Sequence, residues 1–129
     1  MAIRRLLAAI GVTGALATGV TLVPAAVPHA QAAGTWGAIA WNRYGRAGGG
    51  YGSATPGPAI REAMRRCGPG CGYFTFHDSC GAVAYRFTYG RTEVGRAWNA
   101  PSHAAAKRAA IDEIGGGWVS RVNSVCSWG

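Results

Sequence analysis

Within 14 residues the chain places four groups able to bind a metal or react as nucleophiles: Cys67, Cys71, His77 and Cys80. Thiolates and imidazole are the ligands of tetrahedral zinc, and one Cys-x3-Cys spacing suits such a site; the second knuckle does not follow. A free Cys80 thiolate with His77 as base would make a nucleophilic pair. His77-Asp78-Ser79 holds the letters of a hydrolytic triad. Contiguous residues on a strand point to alternating faces, so the three cannot align as base, orienter and nucleophile; they read as a turn with a surface histidine. His103, in the first turn of an expected helix, reads as exposed. The carboxylates are Glu62, Asp78, Glu93, Asp112 and Glu113. Glu62, Asp112 and Glu113 lie beside Arg or Lys at helical spacing and read as ion-pair partners, not as the carboxylate pair of a glycosidase. Glu93, among aromatics and glycines, is the one carboxylate to record for an enzyme. No catalytic residue, cofactor or metal is expected.

The thiol chemistry depends on the compartment. Residues 1–32 read as a secretory signal peptide: Arg4 and Arg5, an apolar run from Leu6 to Val23, then Ala30-Gln31-Ala32 before the cleavage point. The apolar run is short for the roughly 30 Å of a bilayer core, so no stable membrane insertion is expected after cleavage. Residues 33–129 then form a single small domain of 97 residues. An even cysteine count in an exported chain argues for disulfides.

The cysteine pairing follows from an internal repeat. Gly37-Ala38-Ile39-Ala40-Trp41 returns as Gly81-Ala82-Val83-Ala84-Tyr85, and Arg43-Tyr44-Gly45-Arg46 as Thr88-Tyr89-Gly90-Arg91. Pro56 and Pro101 each precede an Ala-rich run. The offset stays between 44 and 47 residues, so repeat one covers about 36–80 and repeat two about 81–126. Cys67 and Cys71 fall on Ile114 and Trp118, so both are missing together from the second copy, as partners would be. The expected bridges are Cys67–Cys71 and Cys80–Cys126, the latter two at matching strand ends.

Each copy has one plan. A strand with period-two alternation comes first, 36–42 and 81–88, with Ala38 and Ala40 facing away from Ile39 and Trp41. The run Gly45-Arg46-Ala47-Gly48-Gly49-Gly50-Tyr51-Gly52 lacks the Lys-Ser/Thr of a P-loop and reads as a flexible turn. Short strands follow near 50–54 and 93–98. The first helix lines up Ala59, Ile60, Ala63, Met64 and Cys67, with Arg61, Glu62, Arg65 and Arg66 outside. Pro101 opens the second, lined by Ala106, Ala109, Ala110 and Ile114. Final strands lie at Tyr73–His77 and Trp118–Val125. The fold class is α+β: two pseudo-symmetric β-β-α-β repeats forming one disulfide-stapled sheet, with two amphipathic helices packed on it. Trp41, Phe74, Phe76, Tyr85 and Trp118 supply the bulk of its core.

Charge points to partners. Past residue 32 the chain has 11 Lys+Arg against 5 Asp+Glu, a net +6. Arg43, Tyr44, Arg46, Tyr89, Arg91, Arg96 and Trp98 lie in or beside the β segments and their turns. Guanidinium groups beside exposed rings suit anionic or carbohydrate ligands, and the two turns could share one symmetric patch. Expected partners are an anionic cell-wall polymer, a glycan or a secreted protein. Nucleic acid needs the same charge, but export argues against it.

Trp36-Gly37-Ala38-Ile39-Ala40, the helix ending in Cys67-Gly68, the Cys71 strand and Cys80-Gly81-Ala82-Val83-Ala84-Tyr85 occur in that order. In these motifs the chain resembles domain-of-unknown-function family 4189, small secreted bacterial proteins common in actinobacteria, over about Thr35 to Cys126. The resemblance implies an exported, disulfide-containing domain and no activity. It also implies a second-copy disulfide that Ile114 and Trp118 replace here.

The function expected is a secreted, non-catalytic binding or interaction module at the cell envelope or outside the cell. An alternative is a small proteinaceous inhibitor of a secreted or wall-acting enzyme, since a rigid stapled domain loses little entropy on binding. A small enzyme using His77 or Glu93 is the third reading.

Overall fold

Ala38 and Ala40 point to one side of the first strand and are fully buried; Ile39 points to the other and is buried as well. A strand buried on both faces must be covered twice, and that demand sets the architecture. The computed structural model describes residues Gly34–Gly129; the expected signal peptide lies outside the described residues. The elements are β1 Trp36–Trp41, β2 Ala47–Ser53, α1 Pro56–Cys67, β3 Gly72–His77, β4 Cys80–Thr88, β5 Arg91–Ala100, α2 His103–Glu113 and β6 Arg121–Cys126. The class is α+β.

The strands do not form one sheet. They form two three-stranded antiparallel sheets, ordered β2-β1-β3 and β5-β4-β6. Only Asp78 and Ser79 separate β3 from β4, and Asp78 takes a left-handed φ of 51° that turns the chain from one sheet into the other. Stacking explains the correction. A single sheet with both helices on it would leave one face wet. Here α1 covers one sheet through Ala38, Ala40, Ala59, Ala63 and Cys67. Helix α2 covers the other through Ala82, Ala84, Ala106 and Ala110. The two inner faces meet through Ile39, Phe76, Val83 and Tyr85, with Trp41, Phe74, Val94 and Val125 around them. The helix contacts are made of small residues and the sheet-to-sheet contact carries the bulk. Each large side chain buried there contributes about 1.5–3 kcal/mol.

The glycine run corrects a second expectation. Ala47–Ser53 is a strand, not a loop. A Cβ on Gly48 would lie 2.7 Å from the Ala63 carbonyl oxygen, one on Gly50 would strike the Ala59 carbonyl oxygen, and one on Gly49 would strike Val125. Bare backbone lets α1 and the opposite sheet close on this strand. Gly95 has the same relation to Ala110 in the other sheet.

The helix ends follow local rules. Pro56 and Pro58 occupy the first turn of α1, where a missing N–H costs nothing. Gly68, at φ 96°, ends it. Ser102 caps α2, its side chain accepting from the Ala105 N–H at 3.1 Å, so the helix opens one residue after the cap and not at Pro101. Ala109 faces solvent, while Ala106 and Ala110 face the sheet. Trp118 lies outside the core, exposed on the loop after α2.

Both expected disulfides are present, Cys67–Cys71 and Cys80–Cys126. Cys80 and Cys126 are not at matching strand ends, however. Cys80 opens β4, Cys126 closes β6, and they face each other across one strand pair. The place facing Trp36 in the other sheet belongs to His77, and those two rings stack at 4.7 Å. Among the described residues, no helix is long and apolar enough to cross a membrane.

Candidate ligand-binding site

Three hydrogen bonds seat the turn between β1 and β2. The Tyr85 hydroxyl donates to the carbonyls of Asn42 at 2.9 Å and Arg46 at 3.0 Å, and Arg121 donates to the Gly45 carbonyl. Tyr85 is fully buried. Burial pushes its hydroxyl up to about 12, so it stays a donor at any physiological pH. The Asn42 side chain turns inward and accepts from the N–H groups of Tyr44 and Arg46, at 2.9 and 3.1 Å. Gly45 sits so close to Phe87 that a Cβ would lie 2.7 Å from the ring. The 42–46 turn therefore rests on the C-terminal half of β4. That strand runs on into the Tyr89-Gly90 turn, so both turns stand at one end of the molecule.

Of the residues named from the sequence, Arg43, Tyr44 and Arg46 lie on the first turn and Tyr89 and Arg91 at the second, whereas Arg96 and Trp98 lie further along β5, Arg96 opposite Val83. Arg43 and Tyr44 help line a hollow of about 410 Å³, together with Trp41, Asn42, Gly70 and Gly72. Tyr44 is 79% exposed. The Arg96 guanidinium lies 5.2 Å from the centre of the Trp41 ring, and Trp98 meets Phe74 at 5.4 Å. Tyr89 stands fully exposed at the second turn. Arg46 and Arg91 hold matching positions in the sequence but have different neighbours. Arg46 reaches over Gly68 at the end of α1, whereas Arg91 pairs with Glu93 at 3.3 Å. The two turns carry cationic and aromatic side chains, and their neighbours differ too much to make a symmetric patch.

Trp41, Gly70 and Gly72 were not legible as site residues. Trp41 alternates like a core residue, and glycines carry no signal of a ligand. The clue lay in Cys67-Gly68-Pro69-Gly70-Cys71. Its bridge pins the glycine loop beside the turn.

The reactive groups are engaged elsewhere. All four cysteines are in disulfides, which removes the zinc and thiolate readings. Asp78 spends one carboxylate oxygen on the N–H groups of Gly34 and Thr35, at 2.7 and 3.1 Å, and the other lies 3.5 Å from His77 Nε2. Ser79 is buried beside Asn99, away from the His77 ring, which lies on Trp36. Glu93 is not isolated: Arg86 reaches it at 3.1 Å, in addition to Arg91. Glu62 pairs with Arg65 and Arg66 as expected, and the Arg65 hydrogen bond holds its carboxyl below the ordinary range. Glu113 departs from expectation by accepting the Arg96 backbone N–H at 2.6 Å. His103 is exposed as expected, and its Nδ1 lies 2.7 Å from Ser124 Oγ.

A second cleft, of about 300 Å³, opens between Gly48–Gly49 of β2 and Asn123–Val125 of β6, beside Arg66. Of its polar side chains, Arg66 is committed to Glu62 and Ser124 to His103, while Asn123 is exposed.

Comparison with protein families matches residues 36–90 to the domain of unknown function DUF4189. The chain resembles this family from β1 through β4. The match is narrower than the span suggested by the sequence motifs, and it stops at the second turn. No curated protein matches the chain, and no solved structure does.

Proposed function

We propose that this chain is an exported, non-catalytic binding module that takes anionic ligands of the cell envelope or the extracellular space. The carrying observation is the convergence of the two turns. They carry Arg43, Tyr44 and Arg46 on the first turn and Tyr89 and Arg91 at the second, with Trp41 beside the first turn under the Arg96 guanidinium. Export is supported by the signal-like residues 1–32 and by two disulfides, which persist in oxidising compartments.

The same reading treats the two halves as diverged copies of one β-β-α-β unit. It is supported by the matching strand orders, by the irregularities at Trp36/Ala38 and Cys80/Ala82, and by the paired contacts Gly50–Ala59 and Gly95–Ala110.

The test is co-sedimentation of the purified oxidised protein with insoluble cell walls over a salt series. Charge-driven binding falls steeply between low and physiological salt. The double variant Arg46→Ala/Arg91→Ala should weaken it about tenfold, roughly 1.4 kcal/mol, and flatten the salt dependence. Unchanged binding by that variant would remove the turns from the account. Absence of binding at low salt would overturn the proposal.

A further inference from the structure

We infer that the hollow bounded by Trp41 and Tyr44 is a subsite for a carboxylate-bearing sugar ring, a uronate-type unit of an anionic glycan; this rests on the binding reading above and narrows it. The hollow is open where a side chain would close it. Among the described residues, a Cβ built on Gly70 or Gly72 meets no atom within 4 Å. The exposed Tyr44 ring borders a side of the hollow whose Gly70 and Gly72 carry no side chain, which leaves room for a flat ring to lie against it. Its volume, about 410 Å³, is within the range of small-molecule pockets.

The charge is complementary to a carboxylate. Arg43 is among the lining residues, Arg96, not itself a lining residue, lies over the Trp41 ring, and among the described residues no acidic side chain lines the hollow. The walls are fixed before any ligand arrives. Asn42 and Tyr85 hold the 42–46 turn, and the Cys67–Cys71 bridge holds the glycine loop opposite. A preformed site avoids the ordering cost that weakens binding by mobile loops. An acyclic polyanion would meet the arginines but would gain nothing from the rings.

The experiment compares three probes by calorimetric titration of the purified oxidised protein at low salt. Oligogalacturonate carries rings and carboxylates. The same oligomer reduced at its carboxyl groups carries rings alone. Polyaspartate carries carboxylates alone. Oligogalacturonate should bind at least tenfold more tightly than either of the others. Gly72→Val places a side chain in the hollow at a strand position with room for it. That variant and Tyr44→Ala should each weaken oligogalacturonate at least tenfold, with unchanged thermal unfolding and unchanged polyaspartate affinity. Equal binding of polyaspartate, with both variants indifferent, would overturn the subsite and leave the anion reading standing. Equal binding of the reduced oligomer would overturn the carboxylate requirement. Failure of all three probes would overturn both readings.

Discussion

Tyr85 and Arg86 are neighbours on β4 that point to opposite faces, and each fastens a different part of the molecule. Tyr85 holds the 42–46 turn from the inter-sheet side. Arg86 reaches the end of α2, donating to the carbonyls of Ile114 at 3.2 Å, Gly116, and Trp118 at 2.9 Å, and it pairs with Glu93. Where α1 is tied to the following strand by Cys67–Cys71, the loop after α2 is held by the Arg86 guanidinium, which also lies 5.3 Å from the Trp118 ring centre. Arg86→Ala leaves those carbonyls and Glu93 without their donor. It should cost about 2–4 kcal/mol in denaturant unfolding, and Arg86→Lys should recover little, because a single ammonium cannot span the same acceptors. A loss under about 0.5 kcal/mol would show that the loop after α2 is held by something else. Tyr85 makes a pH-dependent contribution of known sign. Its folded value is raised to about 12, above the unfolded value of about 10. The stabilisation is complete below pH 10 and is lost as pH rises toward 12, at about 1.4 kcal/mol per unit. Tyr85→Phe should remove that alkaline loss, as read by denaturant unfolding at pH 8 and pH 11.

At the scale of elements, the decisive contacts are between backbones. Gly50 on β2 and Gly95 on β5 meet the carbonyl oxygens of Ala59 and Ala110, rigid atoms with no rotamer to move. Gly50→Ala or Gly95→Ala must push a helix off its sheet and should cost about 1–3 kcal/mol, the usual range for overpacking. Gly72→Ala, at an open position on β3, should be neutral; equal effects at all three positions would contradict close helix approach. This contact also explains why the strand at Ala47–Ser53 was hidden. Within a sequence window, Gly48-Gly49-Gly50 signals freedom, and only the helix lying over it shows why side chains are excluded. The strands around Ala38 and Ala82 were legible because alternation is a local property, as were both helices from their alanine spacing. The division into two sheets was not, since alternation reports that a face is buried and not what buries it. For the site, Arg43 and Tyr44 could be named by residue type. Trp41 could not, because its period places it in the core and only the fold sets its ring beside Arg96 and the hollow.

On the scale of the whole molecule, the two disulfides divide stability from binding. Cys80–Cys126 joins strands separated by 46 residues, with both cysteines buried. Closing a loop of that size restricts the unfolded chain by roughly 3–4 kcal/mol. Cys67–Cys71 spans a separation of four and restricts the unfolded chain much less. Its structural effect is local, at the Gly70–Gly72 wall of the hollow. Intact mass with and without reductant should differ by about four hydrogens, two for each bridge. The double variants should then separate. Cys80→Ala/Cys126→Ala should lower Tm by more than about 12 °C, given about 4–8 °C per kcal/mol for a domain of this size, and should keep its ligand affinity below that Tm. Cys67→Ala/Cys71→Ala should unfold within a few degrees of the parent yet lose binding to walls and to oligogalacturonate, because one wall of the hollow is no longer held. If this second variant binds like the parent, the glycine loop forms without its bridge and the hollow is preorganised by the 42–46 turn alone.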